Sequence, residues 1–345
     1  MSDVLHYYRG RVALHAILEG LGAGPGDEIV VQSYTCAAVV EPLLRLGVRP
    51  VFADISRETF TIDPEGLPAL ITPRTRAVVV QHTFGIPAPM TAILAAGRAA
   101  GVPIVEDCAH MTAGTVTPGG SVASFWSFEW GKPVVAGVGG TAVVHDPGLA
   151  AEMRARYARY TPPPPAREAV MAAEYLAYRV AAGTGVLWRL RALYRQLAGL
   201  GMVTGSYSPD PMNSPEYGWR MSRGTRWRLP YRIAAGRATV AGRRRVTGRE
   251  LAYVPHRIPV VVGDKQRVLR EAARAGLEVG DWFASPVHPL AGDDLAAAGY
   301  TAGSCPNAEW AAAHVVTLPV RAGARPADLD HALRQLAGIE ATVDA

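Results

Sequence analysis

Apolar residues recur at Val12, Leu14, Ile17, Leu18 and Leu21, a helical spacing that predicts a helix from Gly10 to about Gly22. Gly24-Pro25-Gly26-Asp27 ends it, and Glu28-Ile29-Val30-Val31 then reads as a short buried strand. The alternation continues with a helix over 37–46 and a strand at Pro50-Val51-Phe52-Ala53-Asp54. Strands follow at Ala77-Val78-Val79-Val80-Gln81 and Pro103-Ile104-Val105-Glu106-Asp107, separated by a helix over 90–100. Strands alternating with helices of this length predict an α/β fold, a mostly parallel sheet with helices on both faces. Such sheets place ligands beyond the carboxyl ends of their strands, and here those ends carry His82 and Asp107.

Thr161-Pro162-Pro163-Pro164-Pro165 is a stiff breaker, which marks the end of a large domain over 1–160 and the start of an excursion over 161–248. Residues 170–203 are apolar and helical in pattern, but Arg179, Arg189, Arg191 and Arg195 interrupt them too often for a membrane span. Val186, Leu190, Leu193, Leu197 and Leu200 recur at the spacing of a core or subunit-contact face. From about 249 the pattern changes to the apolar run Arg257–Val262, a helix over 265–275 and late strands near 315–319. This predicts a small C-terminal α+β lobe over 249–345. No internal repeat is visible.

Composition narrows the class. With 345 residues, 49% of them hydrophobic and 19% charged, the chain has the material for a large core and a second lobe. The net charge of +5 and the pI near 9.2 come from scattered arginines, densest at Arg243-Arg244-Arg245. No aromatic-interleaved basic motif accompanies them, so a nucleic-acid partner is not expected. Cys36, Cys108 and Cys305 lack metal-ligand spacing and leave an odd thiol in any disulfide scheme, which fits a reducing cytoplasm and no metal site. Residues 1–10 carry no apolar stretch of signal-peptide length.

Among 35 basic residues only Lys132 and Lys265 are lysines. Arginine keeps its proton near neutral pH, whereas a lysine can present a free amine that attacks a carbonyl to form a Schiff base. Lys132 follows an apolar aromatic run, with Ser127 five positions upstream, and precedes the turn Gly137-Val138-Gly139-Gly140. Lys265 falls in a predicted helix with an ordinary polar neighbourhood. A strand-end Asp107 can cap the following turn or hold a cation, and His82 is as fit to pack as to act. Gly10-Arg11 opens a helix whose N–H groups and dipole can bind an anion.

The segment Ser127 to Gly140 resembles the one carrying the cofactor lysine in the DegT/DnrJ/EryC1/StrS aminotransferases, pyridoxal phosphate (PLP) enzymes acting mostly on sugars. Glu106-Asp107-Cys108-Ala109-His110 and Gln81-His82-Thr83-Phe84-Gly85 resemble two further segments of that family. The likeness is clear over about 10–150 and looser over 216–325, where Pro286-Val287-His288, Gly299-Tyr300, Cys305-Pro306-Asn307-Ala308-Glu309 and Leu318-Pro319 echo the family's C-terminal lobe. It implies fold type I, a homodimer with sites at the subunit interface, and ping-pong transamination from glutamate or glutamine to a keto-sugar or related carbonyl compound. Lys132 then bonds the cofactor, Asp107 meets its ring nitrogen, His110 lies near its phenolic oxygen, and His82 lies nearby. Ser127 and Gly10-Arg11 take its phosphate.

Departures accompany the likeness. Cys36 stands where the family often has an aromatic that stacks on the ring, leaving that stacking lost or supplied by Tyr34. Arg11 replaces a small hydroxyl residue and can meet either the phosphate or an anionic substrate. Gly218-Trp219-Arg220-Met221-Ser222 replaces a segment in which a neighbouring subunit's asparagine touches the phosphate, and the chain starts later than longer relatives. Two other readings stay open: a different PLP reaction such as decarboxylation, elimination or cyclisation, and a non-catalytic PLP-binding partner protein.

Overall fold

The structure, a computed structural model, describes residues 2–113, 119–182, 210, 212–246, 256–320 and 326–341. The strands of its first part are β1 (Asp3–Tyr7), β2 (Glu28–Gln32), β3 (Thr35–Cys36), β4 (Arg49–Ala53), β5 (Thr75–Gln81), β6 (Ile104–Asp107), β7 (Ala123–Ser127) and β8 (Gly140–Val144). The main sheet has seven strands in the order β1-β8-β7-β6-β5-β2-β4. Its strands run parallel from β7 through β6, β5, β2 and β4, while β8 is antiparallel to both β7 and β1. The reversal at β8 follows from its connection, because residues 128–139 form a loop without the crossover helix that a parallel neighbour needs.

The helices are α1 (Gly10–Gly20), α2 (Ala37–Arg45), α3 (Leu67–Leu70), α4 (Met90–Ala100) and α5 (Pro147–Tyr157), followed by α6 (Pro165–Ala182) and α7 (Arg223–Val246). Each central strand is buried on both faces, so its sequence is a continuous apolar run whose alternate residues serve two cores. Ile29, Val31, Val79 and Val105 join Leu14, Ile17 and Leu18 of α1 in one cluster. Val30, Val78, Val80 and Ile104 join Ile93 and Leu94 of α4 in another. The predicted helices at 10–22, 37–46 and 90–100 and the four predicted strands are all present. β1, β7 and β8 are additional, and they extend the sheet on the side that carries the lysine loop.

Beyond 256 the strands β9 (Arg257–Val261) and β11 (Val315–Pro319) pair antiparallel, and α8 (Lys265–Arg274) and α11 (Pro326–Ala341) pack Val268 and Leu336 with Val316 and Leu318. This part is bolted to the sheet. β10 (Val287–His288) pairs parallel with β3, and Asp54 accepts the N–H groups of Asn307 and Ala308 at the start of α10 (Pro306–His314). A short helix, α9 (Gly292–Ala297), lies between them. Tyr34, Phe60, Phe84, Phe283, Val287 and Tyr300 form one shared apolar cluster across the junction.

Residues 219–221 lie along β1: Arg220 bridges Tyr7, Trp219 O accepts the Tyr8 N–H at 3.1 Å, and Met221 N–H donates to His6 O at 3.1 Å. The helical pattern expected over 170–203 is seen in α6 to Ala182, while Val186, Arg189, Leu190, Arg191, Leu193, Arg195, Leu197 and Leu200 lie outside the described residues. Among the described residues no helix is long and apolar enough to cross a membrane.

Candidate active site

The carboxyl ends of β5, β6 and β7 deliver His82, Asp107 and Ser127 to one edge of the sheet, and the turn after β7 adds Lys132. The Lys132 N–H donates to Glu129 O at 3.2 Å, and Gly131 takes φ 79°, a conformation a side chain would strain. A Cβ at Gly131 would also come within 3.3 Å of Trp282, whose ring centroid lies 5.9 Å from Lys132 Nζ. Asp107 is 2% exposed, and its Oδ1 accepts the Ala109 N–H at 2.8 Å. Burial pushes its carboxyl above the usual range while the charge of Lys132 pulls the other way. An interior carboxyl facing an amine is thus in place.

His110 lies on the same side. Its ring is parallel to Phe84 within 8°, and its Nδ1 accepts the Phe84 N–H at 3.2 Å. Burial, helped by Lys132, His256 and Arg257, holds it well below the ordinary histidine value. The ring is therefore neutral and carries its proton on Nε2, which makes it a hydrogen-bond donor at that atom.

At α1 the first turn comes close to β7, since a Cβ on Gly10 would lie 2.9 Å from Ser127 Cβ. The helix has no side-chain cap and no acidic residue in its first turn, so its leading N–H groups and dipole are suited to an anion beside the Ser127 hydroxyl. Arg11 is buried and ion-paired with Glu41 of α2, so it is not a solvated helix-start side chain.

Several expected residues are placed differently from the others. His82 is wholly buried, with Nε2 on Glu106 Oε2 at 3.0 Å and Nδ1 accepting from Ala88 N–H at 3.1 Å, so both ring nitrogens serve the interior. Cys108 approaches this pair, but Glu106 is also held by the Ser121 hydroxyl, and the cluster is satisfied without a metal. Tyr34 does not offer an open ring for stacking: it is 1% exposed among Phe60, Phe84 and Phe283. Cys36 is half-buried at the start of α2, opposite His288. Lys265 departs from the ordinary polar setting expected of it. Its Nζ is buried, donates to Phe283 O at 2.8 Å and Ala312 O at 2.7 Å, and pairs with Asp281 at 2.7 Å. It is a structural cation.

Sequence reasoning missed Arg9, Glu129, Glu216, His256, Arg257 and Trp282. Arg257 stacks over Trp282 at 4.5 Å, and His256 Nε2 donates to Gly131 O at 2.6 Å. Arg9, His256, Arg257 and Trp282 lie more than a hundred positions from Lys132 and Glu216 lies 84, and no local pattern joins them to it. Glu129, three residues before Lys132, was the one available signal.

Residues 4–161 match the sequence model of the DegT/DnrJ/EryC1/StrS aminotransferase family. Over this region, a little under half of its length, the chain resembles that family. It is a PLP-dependent aminotransferase of the PLP fold that these enzymes share. DesV of S. venezuelae is 24% identical, with 99% of this chain and 85% of that one covered at a TM-score of 0.68. The PMP-form of the putative sugar aminotransferase Spr1654 from Streptococcus pneumoniae is 17% identical, with 99% and 88% covered at 0.74. DesI, solved in the presence of its TDP-sugar product, is 21% identical, with 99% and 83% covered at 0.67. The residues of the candidate site fit the cofactor family members use, since a buried carboxyl lies within electrostatic reach of a lysine amine and an uncapped helix start lies beside a serine.

Proposed function

We propose that this aminotransferase moves an amino group from an α-amino acid, glutamate or glutamine, to a keto-sugar or related carbonyl acceptor. The observation that carries the site assignment is Lys132 facing the buried Asp107 at the carboxyl edge of the sheet. When bound, PLP supplies an aldehyde for Lys132 and an electron-withdrawing ring. Asp107 is the group that holds a proton on the ring nitrogen, and its burial lets that charge act in a low dielectric. The neutral His110 would donate from Nε2 to the ring's oxygen, while the first turn of α1 from Gly10, with Arg11 next in the chain and Ser127 beside it, would take the phosphate. We assign Cys36 to the pocket wall, and His82 to buttressing the β5 end behind Asp107, with both its ring nitrogens turned to the interior. The Lys132 amine, on its flexible four-carbon stem, would move a proton to and from the donor's Cα.

The acceptor class is supported by the likenesses to DesI, solved with its TDP-sugar product, and to the putative sugar aminotransferase Spr1654. The chain works in our reading as a homodimer in the cytoplasm, with a large domain over 1–160, a linking part over 161–248 and a small lobe over 249–345. The test is borohydride trapping of PLP followed by peptide mapping. The label is expected on Lys132 and absent in Lys132→Ala, whereas Lys265→Ala retains it while losing about 3 kcal/mol of stability through the stranded Asp281. Label on a Lys265 peptide would overturn the assignment. Incubation of the loaded protein with amino donors, followed by its visible spectrum, then separates transamination from the other PLP reactions.

A further inference from the structure

The guanidinium of Arg9 joins two segments that sequence separates by 87 residues. Its Nη1 donates to Glu129 Oε1 at 2.8 Å, its Nε to Glu216 Oε2 at 2.7 Å, and its Nη2 to Glu216 Oε1 at 3.4 Å. The side chain is 3% exposed, against 14% and 15% for the two glutamates. Burial works against the charge of Arg9, but Glu129 and Glu216 outweigh it and hold the guanidinium cationic. Burial likewise pushes the Glu216 carboxyl up, and Arg9 pulls it below the ordinary value. Arg167 adds a weaker contact to Glu216 at 3.5 Å while its Nε donates to the Tyr8 hydroxyl at 2.8 Å.

The backbone of Arg9 is equally constrained. Its C=O accepts the Ala13 N–H at 3.1 Å to start α1, and a Cβ on Gly140 would lie 2.2 Å from that oxygen. Arg9 is therefore rooted at the point where α1, β7 and β8 meet, next to Gly10. From there one planar fork reaches the turn that carries Lys132, through Glu129, and the 3₁₀ turn Pro215–Gly218, through Glu216. Glu129 is bonded at both ends, its carboxylate by Arg9 and its carbonyl by the Lys132 N–H.

We propose that Arg9 is a positioning residue for Lys132, clamping Glu129 against Glu216 so that the turn presents the amine in one place. The proposal rests on Lys132 being the cofactor lysine. A lysine amine reacts through a narrow approach, and displacement by about 1 Å costs up to roughly a hundredfold in rate. A carboxylate-to-amide change at Glu129 keeps its shape and volume but removes the charge that grips the fork. A lysine at position 9 could reach one glutamate but not bridge both, because an ammonium lacks the planar fork.

The experiment adds PLP to folded apo-protein and follows the visible band of the Lys132 adduct, its rate of formation and its pH midpoint, alongside the melting temperature of the apo-protein. In Glu129→Gln and in Arg9→Lys the adduct is expected to form roughly tenfold or more slowly, with a displaced pH midpoint, in addition to the lowered melting that disrupting a buried ion pair brings. Glu216→Gln should act in the same direction, and the Glu129→Gln/Glu216→Gln pair should be less than additive because both act through one guanidinium. Should one variant fail to fold, either of the others must show the slowing on its own. Adduct formation at the wild-type rate and midpoint in the folded variants, even with lowered melting, would make the clamp purely structural and overturn the proposal. If the wild-type protein itself forms no adduct at Lys132, the site assignment fails and this inference falls with it.

Discussion

Arg11 and Glu41 show how much a single buried pair decides. Arg11 is 5% exposed and Glu41 8%, and burial leaves the Glu41 carboxyl above its ordinary value despite the guanidinium against it. Removing the arginine strands that carboxylate, so Arg11→Ala should lose about 3 kcal/mol in urea unfolding at neutral pH. Adding Glu41→Gln should return most of the loss, because the amide is cheaper to bury than an unpaired charge. A neutral effect of Arg11→Ala would show that the pair carries no weight. The double variant then reads the cofactor contact free of the folding cost: PLP affinity should fall roughly tenfold or more with the saturated rate unchanged, as for an interaction equal in ground and transition states.

Within one element, α1 combines its uncapped N-terminus with a buried midpoint that limits the acid range of the protein. His15 packs its ring on Tyr217 at 5.0 Å, its Nδ1 is buried without a partner among the described residues, and burial, then Arg45, lowers its pKa to about 4. The unfolded chain takes up the proton near 6.5 and the native state only near 4. The corresponding stability is therefore complete above about 6.5 and is lost as pH falls through about 4. The full difference amounts to about 3 kcal/mol. His15→Phe should shrink the drop in urea midpoint between pH 7 and pH 4 by a matching amount, while keeping the ring contact. An unchanged drop would assign the acid sensitivity to other groups.

At the scale of the whole molecule, large apolar side chains remain on the outside of α6 and α7. Leu176 is 65% exposed, Val180 68%, Trp227 74% and Tyr231 69%, and the last two rings lie 5.8 Å apart. Exposed groups of this size are covered in most stable proteins, and the proposed homodimer supplies a cover. Light scattering on the wild type is expected to give twice the chain mass, and the Trp227→Glu/Tyr231→Glu variant is expected to give the single mass. A wild type that is monomeric at micromolar concentration would overturn the homodimer.

The α/β order and the parallel core strands were legible in sequence, and the proposed lysine and aspartate stood out there, for physical reasons. Buried strands need unbroken apolar runs, amphipathic helices need a 3.6-residue period, and a reactive amine cannot be replaced by arginine in a chain that otherwise prefers it. His82 shows the boundary: its strand-end position could be read from Gln81-His82, but whether its ring turned to the pocket or to Glu106 depended on a neighbour 24 residues away. β7 and β8 escaped the pattern because their defining feature is a contact across the lysine loop, and the choice between a lost stacking and one supplied by Tyr34 stayed open because Phe283, which packs on Tyr34, lies far along the chain. The sequence by itself determined which chemistry is available, since that depends on residue identity and local periodicity. Only the tertiary structure decided which groups share it, because Arg9 with Glu216, Lys132 with Trp282 and Lys265 with Asp281 meet through folding and through no local rule.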